Sequence, residues 1–221
     1  MSYINGSMLL YEDDKTIVVA TGLNRPSQNE KTGAMTQTFI LKKNTPPTYD
    51  VKGAGCEDCP AFDGCYVLWH QAPRSVYRAY KSGRYRKYTG SWEDLAMLSR
   101  FPMRVGSAGE PTEMASHHWE DMLATIGSWT GYTHKWMVPD NMHYRMYCMA
   151  SVHSVEDMKQ ANRNGWRTYR VGGGPITDDE VMCPHYTHDV QCATCGLCKG
   201  SSSNGKNIYA PAHGARKSKI K

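Results

Sequence analysis

The residues with the most evident chemistry are cysteines. Cys56-x2-Cys59-x5-Cys65 lies within Gly55-Cys-Glu-Asp-Cys-Pro-Ala-Phe-Asp-Gly-Cys65, where glycine and proline make tight turns. Two thiolates two residues apart can meet on one metal ion, and a third can close from the next turn. The second group is Cys183-x8-Cys192-x2-Cys195-x2-Cys198, followed by Gly200 and three serines. Its four sulfurs suffice for one tetrahedral zinc ion, and its Cys-x2-Cys-x2-Cys run also has iron–sulfur spacing. If the first group uses its three cysteines alone, a metal there keeps an open coordination position, as a catalytic centre requires. The expected ligands are Cys56, Cys59, Cys65, Cys183, Cys192, Cys195 and Cys198, holding an iron–sulfur cluster or zinc in loops 53–69 and 183–200. The spacing leaves open whether they build two sites or one composite site. Cys148, in an apolar stretch, is read as core.

A second chemical signal is positive charge. Arg74, Arg78, Lys81, Arg84, Arg86 and Lys87 follow one another with no acidic residue between them, and residues 216–221 form a basic tail, within a net charge of +5. Tyr77, Tyr80, Tyr85 and Tyr88 interleave with the first cluster. Basic side chains with aromatics can track phosphates and stack bases, so nucleic acid or a nucleotide is the expected partner, contacted by Arg74, Arg78, Lys81 and Arg84. A solvated helix face accounts for the same pattern.

These groups need a scaffold. A chain of 221 residues with 40% hydrophobic and 21% charged residues suits one folded domain over 1–221. The start, Met1-Ser2-Tyr3-Ile4-Asn5-Gly6, does not read as a signal peptide, and no stretch reads as a transmembrane helix. The expected location is cytoplasmic, where thiols stay reduced and serve metals rather than disulfides.

Residues 15–20 and 36–41 read as strands, joined by a polar loop over 24–33 that is either a surface connection or a binding loop. Farther on, strands alternate with helices. Met103-Arg-Val105, Trp129-Thr-Gly-Tyr-Thr133, 147–152 and 166–171 read as strands. Helices are expected after the caps Ser91 and Ser154, and across Ala115, Trp119, Met122, Leu123 and Ile126 up to a stop at Gly127. The fold class expected is α/β, with a parallel sheet, open or curled into a partial (β/α) barrel.

In such folds the loops leaving the C-terminal ends of the strands build the site. Those loops carry Gly106-Ser-Ala-Gly-Glu-Pro111, His134, His153 and Gly172-Gly-Gly-Pro175. Glu110, His134 and His153 are the candidate catalytic residues, and Gly106, Gly109, Gly172 and Gly173 the candidate cofactor-binding positions, where backbone can approach closely. A lone histidine at a strand end also serves as an ordinary hydrogen-bonding residue.

From about residue 50 onward, several motifs occur in a fixed order: Cys-x2-Cys-Pro-x4-Cys-Tyr, Gly-Glu-Pro, Trp129-Thr-Gly-Tyr-Thr-His134, Met149-Ala-Ser-Val152, Gly165-Trp-Arg-Thr-Tyr-Arg170, Cys-x2-Cys-Gly-Leu-Cys and Ala212-His-Gly214. That order resembles cysteine-rich proteins carried by bacteriophages and plasmids, which implies a bacterial host cytoplasm. Ala108-Gly-Glu-Pro111 also looks like the Gly-Gly-Glu-Pro stretch of radical S-adenosylmethionine enzymes, which contacts the methionine end of the cofactor. That likeness implies a partial barrel, a [4Fe–4S] cluster on three cysteines and S-adenosylmethionine as cofactor. The loop here differs from that superfamily's CxxxCxxC and is closer to its auxiliary-cluster spacing, with Trp69 where a fourth cysteine would stand. Three functions follow: an iron–sulfur enzyme acting on nucleic acid or nucleotide, a zinc-stabilised nucleic-acid-binding protein, and a zinc-stapled base-modifying enzyme.

Overall fold

The computed structural model describes residues 3–172, 174–202 and 205–212. Gly173 and the basic tail at 216–221 lie outside the described residues, as do His213 and Gly214 of the closing motif. Among the described residues ten strands form one mostly parallel sheet in the order β4-β1-β2-β3-β5-β6-β7-β8-β10-β9, so the protein is α/β. β1 (Ser7–Glu12), β2 (Thr16–Thr21) and β3 (Thr36–Lys42) make an antiparallel meander. From β3 the sheet continues in parallel through β5 (Met103–Ala108), β6 (Trp129–Thr133), β7 (Met149–Val152), β8 (Thr168–Val171), β10 (Asn207–Ala210) and β9 (Glu180–Met182). The two-residue β4 (Arg86–Lys87) pairs parallel with β1.

Side chains alternate across the sheet, and each face has its own cover. Val18, Ile40, Val105 and Ala150 share one core with Leu98 of helix α2 (Trp92–Leu98), Trp119 and Leu123 of α3 (Ser116–Ile126), and Met158 of α4 (Val155–Arg163). On the other face Val19, Phe39 and Leu41 pack against Val76 and Tyr77 of α1 (Ala72–Lys81) and against Trp69. Beyond β5 that face instead carries Tyr169, Ile208, Cys183 and Cys198. Helix ends obey their local chemistry: the Ser91 and Ser154 hydroxyls accept the N–H groups of Asp94 and Asp157, and Gly127 closes α3 in the left-handed region at φ 72°.

One local expectation is corrected. Gly106, Ser107 and Ala108 belong to β5 rather than to the loop after it, because the register with β3 shifts by an irregularity between Gln37 and Phe39. Among the described residues no helix is long and apolar enough to cross a membrane.

Candidate metal and mouth residues

The first cysteine group lies in the connection from β3 to α1, and so leaves the same sheet edge as the loops after β5, β6 and β7. Backbone contacts hold it there. The Ala54 N–H donates to the Ile40 carbonyl (3.2 Å), and the Glu110 N–H donates to the Ala54 carbonyl (3.0 Å). Gly109 makes this approach feasible: its φ is 88°, and a Cβ there would run into the Ile40 carbonyl oxygen. A Cβ on Gly55 would stand 2.7 Å from Glu110 Cβ. The three-thiol loop and Glu110, about fifty residues apart in sequence, therefore meet, with Glu110 adding its charge to the surroundings of Cys56 and Cys59.

Glu110 is buried (5% exposed). One carboxylate oxygen, Oε2, accepts the His134 N–H (3.1 Å), while Oε1 has no hydrogen-bond partner among the described residues. Burial raises its pKa to about 7, against the lowering pull of the nearby Thr133 side chain and the His134 and Thr112 backbone. His134 and His153, on the loops after β6 and β7, stack with ring centroids 5.6 Å apart. Burial and the neighbouring His153 lower the His134 pKa to about 4, and burial also lowers His153. Both rings are thus neutral near pH 7. Burial pushes the Cys56 thiol far up and Cys59 to about 11. Cys56 and Cys59 are thus thiols near pH 7, and metal binding would displace their protons. Lys52, itself buried, places its Nζ 3.4 Å from the centroid of Phe62 and favours the Cys59 thiolate.

The second group lies elsewhere, on the face of the sheet carrying Tyr132, Tyr169 and Ile208. Cys183 follows β9, Cys192 and Cys195 bound a single helical turn (Cys192–Cys195), and Cys198 follows it. All four line one cavity of about 20 Å³. The 24–33 loop is part of this wall: Cys192 and Ala193 N–H groups donate to the carbonyls of Lys31 and Thr32 (both 3.0 Å). Cys192 feels Arg104, Lys31, Cys183 and Cys195, and Cys56 feels Cys59 and Cys65, so the cysteines form two separate groups. Among the described residues no three His, Cys, Asp or Glu side chains are drawn together closely enough to hold a metal ion. The second group is a set of thiols sharing a pocket and the first a set of thiols in one loop, and neither is a closed coordination shell.

The remaining expected site residues divide. Arg78, Lys81 and Arg84 are exposed, Arg74 is half-buried, and none has a carboxylate partner among the described residues. The aromatic half of that pattern is turned inward: Tyr77 and Tyr85 are buried, and the Tyr80 hydroxyl donates to Glu12 (2.7 Å). Arg86 is tied to Asp94 and Lys87 to Glu12. Gly106 faces Pro111, and the Gly172 carbonyl accepts from Arg170 (2.8 Å). Sequence reasoning did not single out Lys31, which lines the cavity with the four cysteines. Comparison with protein-family models, with curated proteins and with solved structures returned no match.

Proposed function

We propose that the protein is an iron–sulfur enzyme of the radical S-adenosylmethionine kind, acting on a nucleic acid or nucleotide. The observation that carries this reading is the meeting of Glu110 with the three-thiol loop at the C-terminal edge of a parallel sheet, which on this reading curls as a partial barrel. Cys56, Cys59 and Cys65 would hold the cluster, and a three-ligand set leaves one position open. Glu110 Oε1, buried without a partner, is the acceptor that an ammonium group of the cofactor would satisfy. When bound, the cluster supplies the one-electron chemistry. The chain's own residues bind and orient: the His134 N–H fixes Glu110 Oε2, the neutral His134 and His153 rings offer polar edges at the same mouth, and Arg78, Lys81 and Arg84 meet phosphates. The second group, with four thiols and no spare ligand position, serves as a structural metal site.

Anaerobic purification followed by iron, sulfide and zinc analysis tests this. The expected product is brown, with iron and labile sulfide that disappear in a Cys56→Ser, Cys59→Ser, Cys65→Ser triple variant. A colourless protein carrying zinc and no sulfide would replace the reading with a zinc-stabilised nucleic-acid-binding protein, or a base-modifying enzyme using Glu110, His134 or His153.

A further inference from the structure

A bulge in β1 re-aims a tyrosine. β1 pairs with β2 through Leu9 opposite Val19 and then Tyr11 opposite Val18, so Leu10 is the extra residue. Plain alternation would send Tyr11 to the face of Leu9, which packs with Val19 and Phe39. The bulge sends it instead to the core of Met8 and Leu10, against which Tyr88 also packs. Both tyrosines line a cavity of about 470 Å³, together with Glu12, Asp13, Lys43 and Lys87. β1, β3 and β4 run in one direction, parallel to β5, so this cavity stands at the C-terminal edge of the sheet, as Glu110 and His134 do.

Most of its polar groups are committed within the protein. Glu12 accepts from the Tyr80 hydroxyl (2.7 Å) and pairs with Lys43 (3.2 Å) and Lys87 (3.3 Å). The Asp13 carboxylate accepts the Tyr11 hydroxyl (2.9 Å) and the N–H groups of Lys15 and Thr16 (2.7 and 2.6 Å). Three groups remain available. The half-buried Tyr88 ring is untethered, its hydroxyl having no hydrogen-bond partner among the described residues. Asp14 lines the cavity, is exposed, and its carboxylate likewise has no partner among those residues. The Lys87 side chain is 75% exposed despite its contact with Glu12.

We propose that this cavity receives one nucleotide unit of a single strand, with its base stacked on Tyr88, an exocyclic amine on Asp14 and its phosphodiester on Lys87; the inference rests on the nucleic-acid substrate proposed above. The volume is that of an ordinary small-molecule site. An aromatic ring stacks a base, a carboxylate accepts from a base amine, and an ammonium meets a phosphate. Three carboxylates against two ammonium groups oppose a free triphosphate, whereas one phosphodiester needs a single cation. The basic stretch that begins at Arg74 ends at Lys87, in this cavity.

Fluorescence anisotropy with short single-stranded cytosine and thymine oligonucleotides tests the site. Tyr88→Leu should weaken binding about tenfold without changing the salt slope, the scale of one lost stack, while Tyr88→Phe should stay near wild type. Lys87→Gln should flatten the slope of log affinity against log salt by about 0.7. The wild type should prefer cytosine to thymine about fivefold, and Asp14→Ala should abolish that preference. Wild-type binding by Tyr88→Leu overturns the site. So does a loss confined to Tyr88→Leu and matched by a collapse of its thermal midpoint, with Lys87→Gln and Asp14→Ala unchanged. If the wild type binds no oligonucleotide at low salt, the nucleic-acid reading fails and takes this site with it. Iron and sulfide contents, which none of these variants should alter, report on the cluster separately.

Discussion

The two cysteine groups solve opposite problems with the same side chain. The first has three thiols at the sheet's C-terminal edge, beside a buried carboxylate, with Lys52 as its nearby cation. The second has four thiols against the sheet face, with Arg104 and Lys31 among the charges that act on Cys192 and with Arg167 near Cys198. A carboxylate such as Glu110 beside thiols opposes further negative charge, while neighbouring cations invite it. An incomplete ligand set beside an unpartnered acceptor suits exchange of a bound molecule. On the proposed reading, the four-thiol set suits permanence.

The largest expected effect separates the groups by stability. Cys195→Ser should cost about 5 kcal/mol or more, since structural zinc binding energy is folding energy, and the thermal midpoint should drop by roughly 10–20 °C. Cys59→Ser should remove iron and sulfide while moving the midpoint by no more than roughly 3 °C. Equal losses in calorimetry would end the distinction between an exchange site and a staple.

The next effect concerns the frame that carries Cys183. Arg170 on β8 and Glu180 on β9 form a fully buried ion pair (2.7 Å), and the guanidinium also donates to the Gly172 and Pro175 carbonyls. Burial raises the Glu180 pKa, but its bonds to Arg170 and Thr177 win and leave it lowered. A depressed carboxylate contributes stability above its unfolded pKa, and that stability is lost as pH falls through the folded value. Stability should therefore fall on acidification below the ordinary carboxylate range, and Glu180→Gln should cost about 3–5 kcal/mol in urea unfolding at neutral pH. A variant without that loss would show that β9 does not brace the second group.

Legibility in the sequence followed the range of the interactions. β2, β3 and β6 lie where their residue patterns place them, and α2, α3 and α4 lie behind the caps and stops that the sequence displays. β1 was not read, since its first five residues run from Ser7 through Met8, Leu9 and Leu10 to Tyr11 without polar alternation, both faces being covered. Cys148 is fully buried, as its apolar setting suggests, although it precedes β7. The meeting of Glu110 with the first group was legible because parallel topology gathers loops at one edge. The place of Lys31 in the wall of the second cavity was not, because it depends on the 24–33 loop docking on Cys192, more than 150 residues away. The tyrosines between the arginines misled for a related reason: on α1 their spacing turns Tyr77 into the core while Arg78 stays outside.

A smaller effect sharpens the comparison at the first group. Glu110→Gln keeps an acceptor for the His134 N–H but removes the charge, so metal content should be unchanged. Binding of S-adenosylmethionine, measured by calorimetry on the anaerobic protein, should weaken about ten- to a hundredfold, as expected when a charged hydrogen-bond acceptor is lost. Unaltered affinity would detach Glu110 from the cofactor and leave it as a buried brace for the cysteine loop.

The smallest effect falls on the surface of α1. Arg78, Lys81 and the adjoining Arg84 are exposed without carboxylate partners among the described residues, while the tyrosines beside them are committed to the core or to Glu12. Contact there would be made to phosphates rather than to bases, so it should be insensitive to sequence and steeply dependent on salt. Replacing the three residues by alanine should weaken single-stranded oligonucleotide binding about tenfold at low salt. The slope of log affinity against log salt should flatten by about 2, since each neutralised phosphate on a single strand contributes about 0.7. Metal content at both cysteine groups should not move. If the slope stays the same, α1 is an ordinary solvated face, and a nucleic-acid substrate would have to be held by the mouth residues alone.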